Sequence, residues 1–399
     1  MRRLTFIWGL VLSGSMLQTS LLAQTFDWGG SLRWYQFLRL EDAQDEVFGE
    51  RRDTEFGSAR FTLQSEWGAH VVFESHAVLD FLSPPMLAAA STATGRSQTY
   101  LPLQHDFTDS SDYDLSGRFD RLNLQFNFEN ARVVAGRQAI TWGVTYFWPV
   151  MDLFSSFAPE RIDRDYKEGV DALRLTVPLG SFSEVQVVGA VLGRGFSDDQ
   201  ALAAQARLYL GRLDLGLMGG KFHGDTVAGF FITTGLGGSA LRGEATWTDS
   251  GDPRDRLLGR SSFWRASVGI DRQLNPDVGV TVEFSYNGFG ASDADEYLLI
   301  AQADRVQRGE VNALGRYYTG AALNWQIHPL WTFSNTLLVN WQDPSAFLIP
   351  ALQWSSSDNS TFLLGMQVGI GGQLDRTLSP RSEYGPAPAT LFTAFTWYF

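Results

Sequence analysis

The chain ends Leu391-Phe392-Thr393-Ala394-Phe395-Thr396-Trp397-Tyr398-Phe399. Leu391, Phe395, Trp397 and Phe399 alternate with Phe392, Ala394, Thr396 and Tyr398, so the two sets fall on opposite faces of an extended strand that stops on an aromatic residue. The same period of two is clearest upstream at residues 58–67. There Ala59, Phe61, Leu63, Ser65 and Trp67 share one face, and Ser58, Arg60, Thr62, Gln64 and Glu66 the other. After a turn at Gly68-Ala69 the chain returns with Val71, Phe73, Ala77, Leu79 and Phe81 opposite Glu74, His76 and Asp80.

Reading outward in both directions gives strands at 31–40, 57–67, 70–81, 118–128, 131–140, 169–177, 183–193, 201–210, 213–222, 226–236, 239–248, 262–273, 279–288, 317–327, 331–341, 346–355, 361–370 and 390–399. Eighteen segments result, with sixteen as the alternative count. At about ten residues each, they match what a tilted strand needs to cross a bilayer. Short connections (68–69, 129–130, 178–182, 211–212, 237–238, 274–278, 328–329, 356–360) alternate with mostly longer ones (41–56, 82–117, 141–168, 249–261, 289–316, 371–389). Those at 194–200, 223–225 and 342–345 break the pattern by being short. Such parity predicts an all-β chain: one antiparallel up-and-down transmembrane β-barrel with short periplasmic turns and long extracellular loops. A soluble β-sandwich has no such parity.

Composition agrees. Charged residues make up 19% of the 399 residues, there are two lysines (Lys167 and Lys221), and aromatics reach 14%. A mean hydropathy of −0.11 and the absence of any apolar run of 18 residues exclude helical spans, which leaves a closed barrel as the way to cross a membrane. The absence of cysteine removes disulfides, thiolate metal sites and a thiol nucleophile. A net charge of −13 argues against nucleic acid as a partner. Arg2 and Arg3, the apolar residues 4–17 and Leu21-Leu22-Ala23 before Gln24 predict a signal peptide over 1–23, leaving the barrel as residues 24–399.

The terminal strand resembles the C-terminal signature by which bacterial outer-membrane barrels are recognised for insertion, with Trp397 and Phe399 carrying it. Residues 136–172 contain Gly136-Arg137-Gln138, Trp142-Gly143, Asp152-Leu153-Phe154, Pro159, Ile162-Asp163 and Lys167-Glu168-Gly169-Val170-Asp171-Ala172. This resembles a stretch of Gram-negative porin-like barrels, including the eighteen-stranded alginate-export type. The resemblance implies an outer-membrane location, lipid, lipopolysaccharide and the barrel-assembly machinery as partners, and a lumen orientation for Arg137. It does not imply alginate as the solute, and it leaves the oligomeric state undefined.

If apolar positions face lipid, the opposite set lines the lumen. The pore-lining candidates are Arg60, Glu66, Glu74, His76, Asp80, Arg121, Asn123, Gln125, Arg137, Arg174, Arg207, Arg242, Glu244, Arg265, Asp271 and Glu283. Six of these arginines are set against seven acids once Glu184 is included, so pairing within the wall competes with guidance of anionic solutes. The loop 141–168 mixes aromatics with charge and is the candidate constriction, with Trp142, Trp148, Arg161, Asp163, Arg164 and Lys167 as its marked residues; packing on the barrel rim is the alternative. Six tryptophans (Trp34, Trp67, Trp325, Trp331, Trp341 and Trp397) fall at strand ends or outward positions, where aromatic girdles sit.

Acids cluster in two outer loops, as Glu41, Asp42, Asp45, Glu46 and Glu50, then Asp106, Asp109, Asp112 and Asp114, without calcium-loop spacing, and a solvated loop is the expectation. No metal or cofactor is expected. Among five histidines only His76 faces a lumen carboxylate, Glu74, and no Gly-x-Ser-x-Gly elbow supplies a nucleophile, so an enzyme is not expected. The chain is too short for a plug beside 22 strands. These features predict a passive channel for small or oligomeric polar and charged solutes, with a non-channel barrel acting as an enzyme or surface scaffold as the alternative.

Overall fold

The computed structural model describes residues 23–40, 52–83, 99–110, 112–193, 199–375 and 378–399. The expected signal peptide and the acids at 41–50 therefore lie outside the described residues, apart from Ala23. The strands begin β1 (Ala23–Arg39), β2 (Asp53–Trp67), β3 (Val71–Ser83), β4 (Gln104–Asp109), β5 (Asp114–Phe128), β6 (Ala131–Gln138) and β7 (Val170–Pro178). They continue β8 (Glu184–Val191), β9 (Gln200–Leu210), β10 (Leu213–Phe222), β11 (Asp225–Leu236), β12 (Ser239–Asp249) and β13 (Ser262–Asn275). The last are β14 (Val278–Asn287), β15 (Tyr317–His328), β16 (Trp331–Asn340), β17 (Ser345–Ser357), β18 (Ser360–Ile370) and β19 (Thr390–Tyr398). All pairings are antiparallel between neighbours, and β1 also pairs with β19, so the sheet closes.

Eighteen strands form the ring. The unexpected β4, from the loop between β3 and β5, lies along the upper edge of β5 where the short β6 has stopped. The outer face carries exposed Leu173, Leu202, Leu217, Phe230, Val268 and Phe284, and all six tryptophans expected in girdles are exposed there. A continuous apolar outer surface is that of a barrel in a membrane. Gly237-Gly238 joins β11 to β12 with φ of 57° and 80°, a conformation at two successive positions that favours glycine and tight hairpins.

The seam between first and last strand depends on the C-terminus. Gly30 N–H donates to the Phe399 carbonyl at 2.9 Å, and Phe399 N–H donates to the Gly30 carbonyl at 3.1 Å. A Cβ on Gly30 would lie 2.2 Å from the Arg60 carbonyl oxygen and 2.5 Å from the Phe399 ring. Gly30→Val is therefore expected to open this seam: refolded variant should shift from the compact to the unfolded band in unheated electrophoresis at a lower temperature than wild type.

Candidate functional site

The connection between β6 and β7, residues 139–169, turns inward and follows the inner wall around the barrel. We call it the inner belt. Trp142 Nε1 donates to Gln186 of β8 at 3.0 Å, and the Trp142 carbonyl accepts from Gln205 of β9. Next, Glu244 of β12 accepts from Val144 N–H at 2.6 Å, Thr145 Oγ1 at 3.0 Å and Met151 N–H at 3.3 Å. Glu283 of β14 accepts three successive amides, those of Tyr146 (2.7 Å), Phe147 (3.2 Å) and Trp148 (2.9 Å). Gly320 of β15 lets the Phe147 ring lie flat on the wall, since a Cβ there would sit 2.3 Å from it.

Further along, Gln367 of β18 reaches the Glu160 carbonyl, and Arg33 of β1 holds Asp163 and Asp165 at 2.6 Å each. Tyr166 then stacks under the Arg60 guanidinium of β2, 4.0 Å from the ring centroid, and meets the His76 ring of β3 edge-on. Finally Arg121 of β5 bonds the Lys167 carbonyl and Gly169 N–H reaches Asp120. Backbone N–H groups in the interior need acceptors, and the wall carboxylates provide them.

Apolar side chains do the rest of the seating. Trp142, Met151, Leu153 and Phe154 pack with inward Val188, Ala203, Met218, Phe222 and Phe231 of β8–β11. Phe147 and Trp148 pack with Tyr35, Tyr318, Leu338, Phe347 and Phe392. The polar lumen expected from parity is thus corrected: toward the loop ends, the inner faces of β8–β11 and of β15–β19 with β1 carry large apolar side chains between polar ones such as Gln205, Gln367 and Arg33, and the belt covers them. Trp142 and Trp148, expected at the constriction, are buried in these clusters, where they fix the belt to the wall.

The polar candidates separate into groups. Arg60 pairs with Asp120 at 2.6 Å and touches His76 at 3.4 Å; His76 faces Glu74, which also accepts from Asn123 at 2.8 Å. Asp80 takes Ser58 at 2.7 Å and pairs with Arg118. Gln125 bonds Asn127, Arg207 pairs with Asp214 at 2.9 Å, and Arg242 pairs with Asp271 at 2.7 Å. Arg265 donates to the Glu310 carbonyl at 2.7 Å and is buried, Glu66 is exposed near the turn end of β2, and Arg174 lies beside Arg132 with a buried, unpartnered Nε. On the belt, Arg161 lies over the Phe157 ring, Arg164 over Tyr146, and Lys167 contacts Asp152.

Arg137 departs from its expected lumen position. Its guanidinium fills the gap above the end of β6, bonding Asp171 of β7 at 2.9 Å, the Phe119 carbonyl of β5 at 3.0 Å and the Leu101 carbonyl at 2.8 Å. It repairs the wall instead of lining the pore. Asp120 was missed because a β-bulge opposite His76 and Ala77 turns both Asp120 and Arg121 inward. Arg33 was legible, since it alternates with the outward Trp34.

Above the belt, Glu383 ties three outer connections together. It accepts from Leu314 N–H (2.8 Å), Tyr318 (2.5 Å) and Asn340 (2.8 Å), while its own N–H reaches Asp343 at 2.6 Å. Burial pushes the Glu383 carboxyl up to about 8, and Glu160 and Asp343 add repulsion. A carboxyl whose folded value lies above the unfolded value near about 4.3 stabilises the fold fully below that pH. The contribution is then lost as pH rises through about 8. Amide hydrogen exchange in 378–389, corrected for intrinsic rate, should accelerate across that window, and Glu383→Gln should flatten the response.

No protein-family model matches the chain, and no curated protein matches it. Solved structures do. Pseudomonas aeruginosa OccD3 (OpdP) aligns with a TM-score of 0.57 at 13% identity, over 96% of this chain and 94% of that one. Acinetobacter baumannii OccAB1 gives 0.56 at 11%, over 95% and 98%, and Pseudomonas aeruginosa OccK11 (OpdR) 0.57 at 8%, over 96% and 99%. These neighbours are Gram-negative outer-membrane porins, and at such identities the likeness is one of fold.

Proposed function

We propose that this chain is a porin-like channel of a Gram-negative outer membrane, passing small polar and charged solutes through a barrel narrowed by the inner belt. One observation carries the reading: a 31-residue connection is seated around the inner wall by wall side chains of both signs. A loop that served only the rim would have no use for Glu244, Glu283, Arg33 and Arg60 inside the barrel. The porin fold of the structural neighbours supports the same reading. Residues 1–23 direct secretion, and the Trp397 to Phe399 end is the assembly signal. Polar solutes and outer-membrane lipid with lipopolysaccharide are the partners, and no catalytic step is assigned.

Apolar clusters occupy two sectors of the inner wall, which leaves two polar sectors, β12–β14 with its Arg242–Asp271 pair and the wider one of β2, β3, β5, β6 and β7. Arg132 and Arg174 lie there beside the paired Arg60, Arg118 and Arg121. Proteoliposomes carrying the refolded protein should swell in isosmotic small sugars or amino acids and not in a large dextran. Swelling no faster than in empty liposomes would remove the channel reading and leave the scaffold alternative.

A further inference from the structure

His76 stands on the inner face of β3, opposite Thr62 of β2 and Arg121 of β5. Its depth is that of the belt, because the Tyr166 ring meets it edge-on with the ring centroids 5.9 Å apart. Two charged neighbours fix the tautomer of the imidazole. Arg60 Nη1 lies 3.4 Å from Nδ1, and a guanidinium can only donate, so Nδ1 is the acceptor. Nε2 therefore carries the hydrogen, and it faces Glu74 Oε1 at 3.4 Å.

Both protonation states of the ring have a partner in this arrangement. A proton added at Nδ1 ends the contact with Arg60, whose Nη1 keeps Asp120 at 2.6 Å, and it turns the Nε2 contact with Glu74 into an ion pair. Water can deliver that proton, since 15% of the side chain is accessible.

The charges around the ring cancel. Arg60 faces it from β2, Glu74 from its own strand, and Asp120 and Arg121 from β5, while the belt presents Tyr166. Beyond this shell Arg118 pairs with Asp80, and Arg33 with Asp163 and Asp165. Two guanidinium groups against two carboxylates leave the shell neutral while His76 is neutral, and positive by one charge once His76 is protonated. Among ordinary side chains histidine alone changes charge between about pH 5 and 8. The other four histidines lie toward the rims, His70 and His328 beside short turns, His105 on β4 and His223 between β10 and β11.

We propose that His76 sets the ion preference of the passage at the level of the belt: its proton turns a neutral patch of the wall into a cationic one that favours anions over cations. A charge at a narrow point flanked by low-dielectric walls acts on passing ions more strongly than the same charge on an open rim. This inference rests on the channel reading.

Reversal potentials in planar bilayers across a potassium chloride gradient test it. As both baths go from about pH 8 to about pH 5, the wild-type value should move toward the chloride equilibrium potential. His76→Gln keeps an acceptor for Arg60 and a donor for Glu74 and should lack this part of the shift. His76→Lys should show the acidic preference already at about pH 8. Equal shifts in wild type and His76→Gln, or wild-type preference in His76→Lys at the alkaline end, would overturn the inference while leaving the channel in place. No current from inserted wild type at any pH would overturn the channel reading and this inference with it.

Discussion

Removing both wall carboxylates, Glu244→Ala with Glu283→Ala, is expected to release the inner belt and give larger, noisier unitary currents from a barrel that still inserts. Together the two side chains accept six hydrogen bonds from the belt, five of them from backbone amides. Hydrogen bonds to charged groups contribute about 1.5–3 kcal/mol each. Allowing for non-additivity, the double change weakens seating by about 5 kcal/mol or more. Each 1.4 kcal/mol or so is a tenfold change in the detached-to-seated ratio. Glu283→Gln keeps one acceptor oxygen in place and should retain most of the wild-type current. Single-channel recording checks all three variants; unchanged currents in the double variant would show that the apolar clusters alone hold the belt.

The second large effect is expected at Arg305, in the loop between β14 and β15. Its guanidinium reaches Asp225 at 3.1 Å, Asp255 through Nε at 3.1 Å and Glu310 at 2.8 Å, between the Phe263 and Phe289 rings. Arg305 and these three acids are all nearly inaccessible, so the one cation neutralises carboxylates from three segments. Arg305→Ala leaves that charge buried with Arg308 and Arg265 as incomplete substitutes, at a cost of about 3–5 kcal/mol. Limited proteolysis should then cut within 288–316 under conditions that spare wild type, while the barrel keeps its compact electrophoretic form. Equal resistance in the two proteins would contradict the role given to Arg305.

Much of the wall was legible in the sequence because a strand's two faces obey one rule along its whole length. Eighteen strands, their short and long connections and the outward tryptophans all follow from period two. Legibility failed where that rule is interrupted. The bulge at Asp120 shifts the parity of β5 by one residue, and no local residue type announces it. Arg137 is a different case: β6 keeps a regular register, so Arg137 shares the outward face of Val133 and Ala135 and repairs the wall, against the lumen orientation that the resemblance implied. Alternation also assumes that inward means wet. Inward Phe222, Phe231, Phe347 and Phe392 violate that assumption, because a loop distant in sequence returns to cover them. The 139–169 segment was recognisable as a constriction candidate from its mixture of aromatics and charges. That its acceptors are Glu244 and Glu283, roughly 100 and 140 residues away in the chain, was not recoverable from spacing.

On the channel reading, the inner belt narrows a conducting barrel. The most direct test is the unitary conductance, in the same planar bilayer and salt, of wild type and of a barrel whose residues 142–166 are replaced by a short Gly-Ser linker. The structure predicts a stable small conductance for wild type and a larger one for the shortened chain. Equal conductances, or no conductance from either inserted barrel, would contradict it.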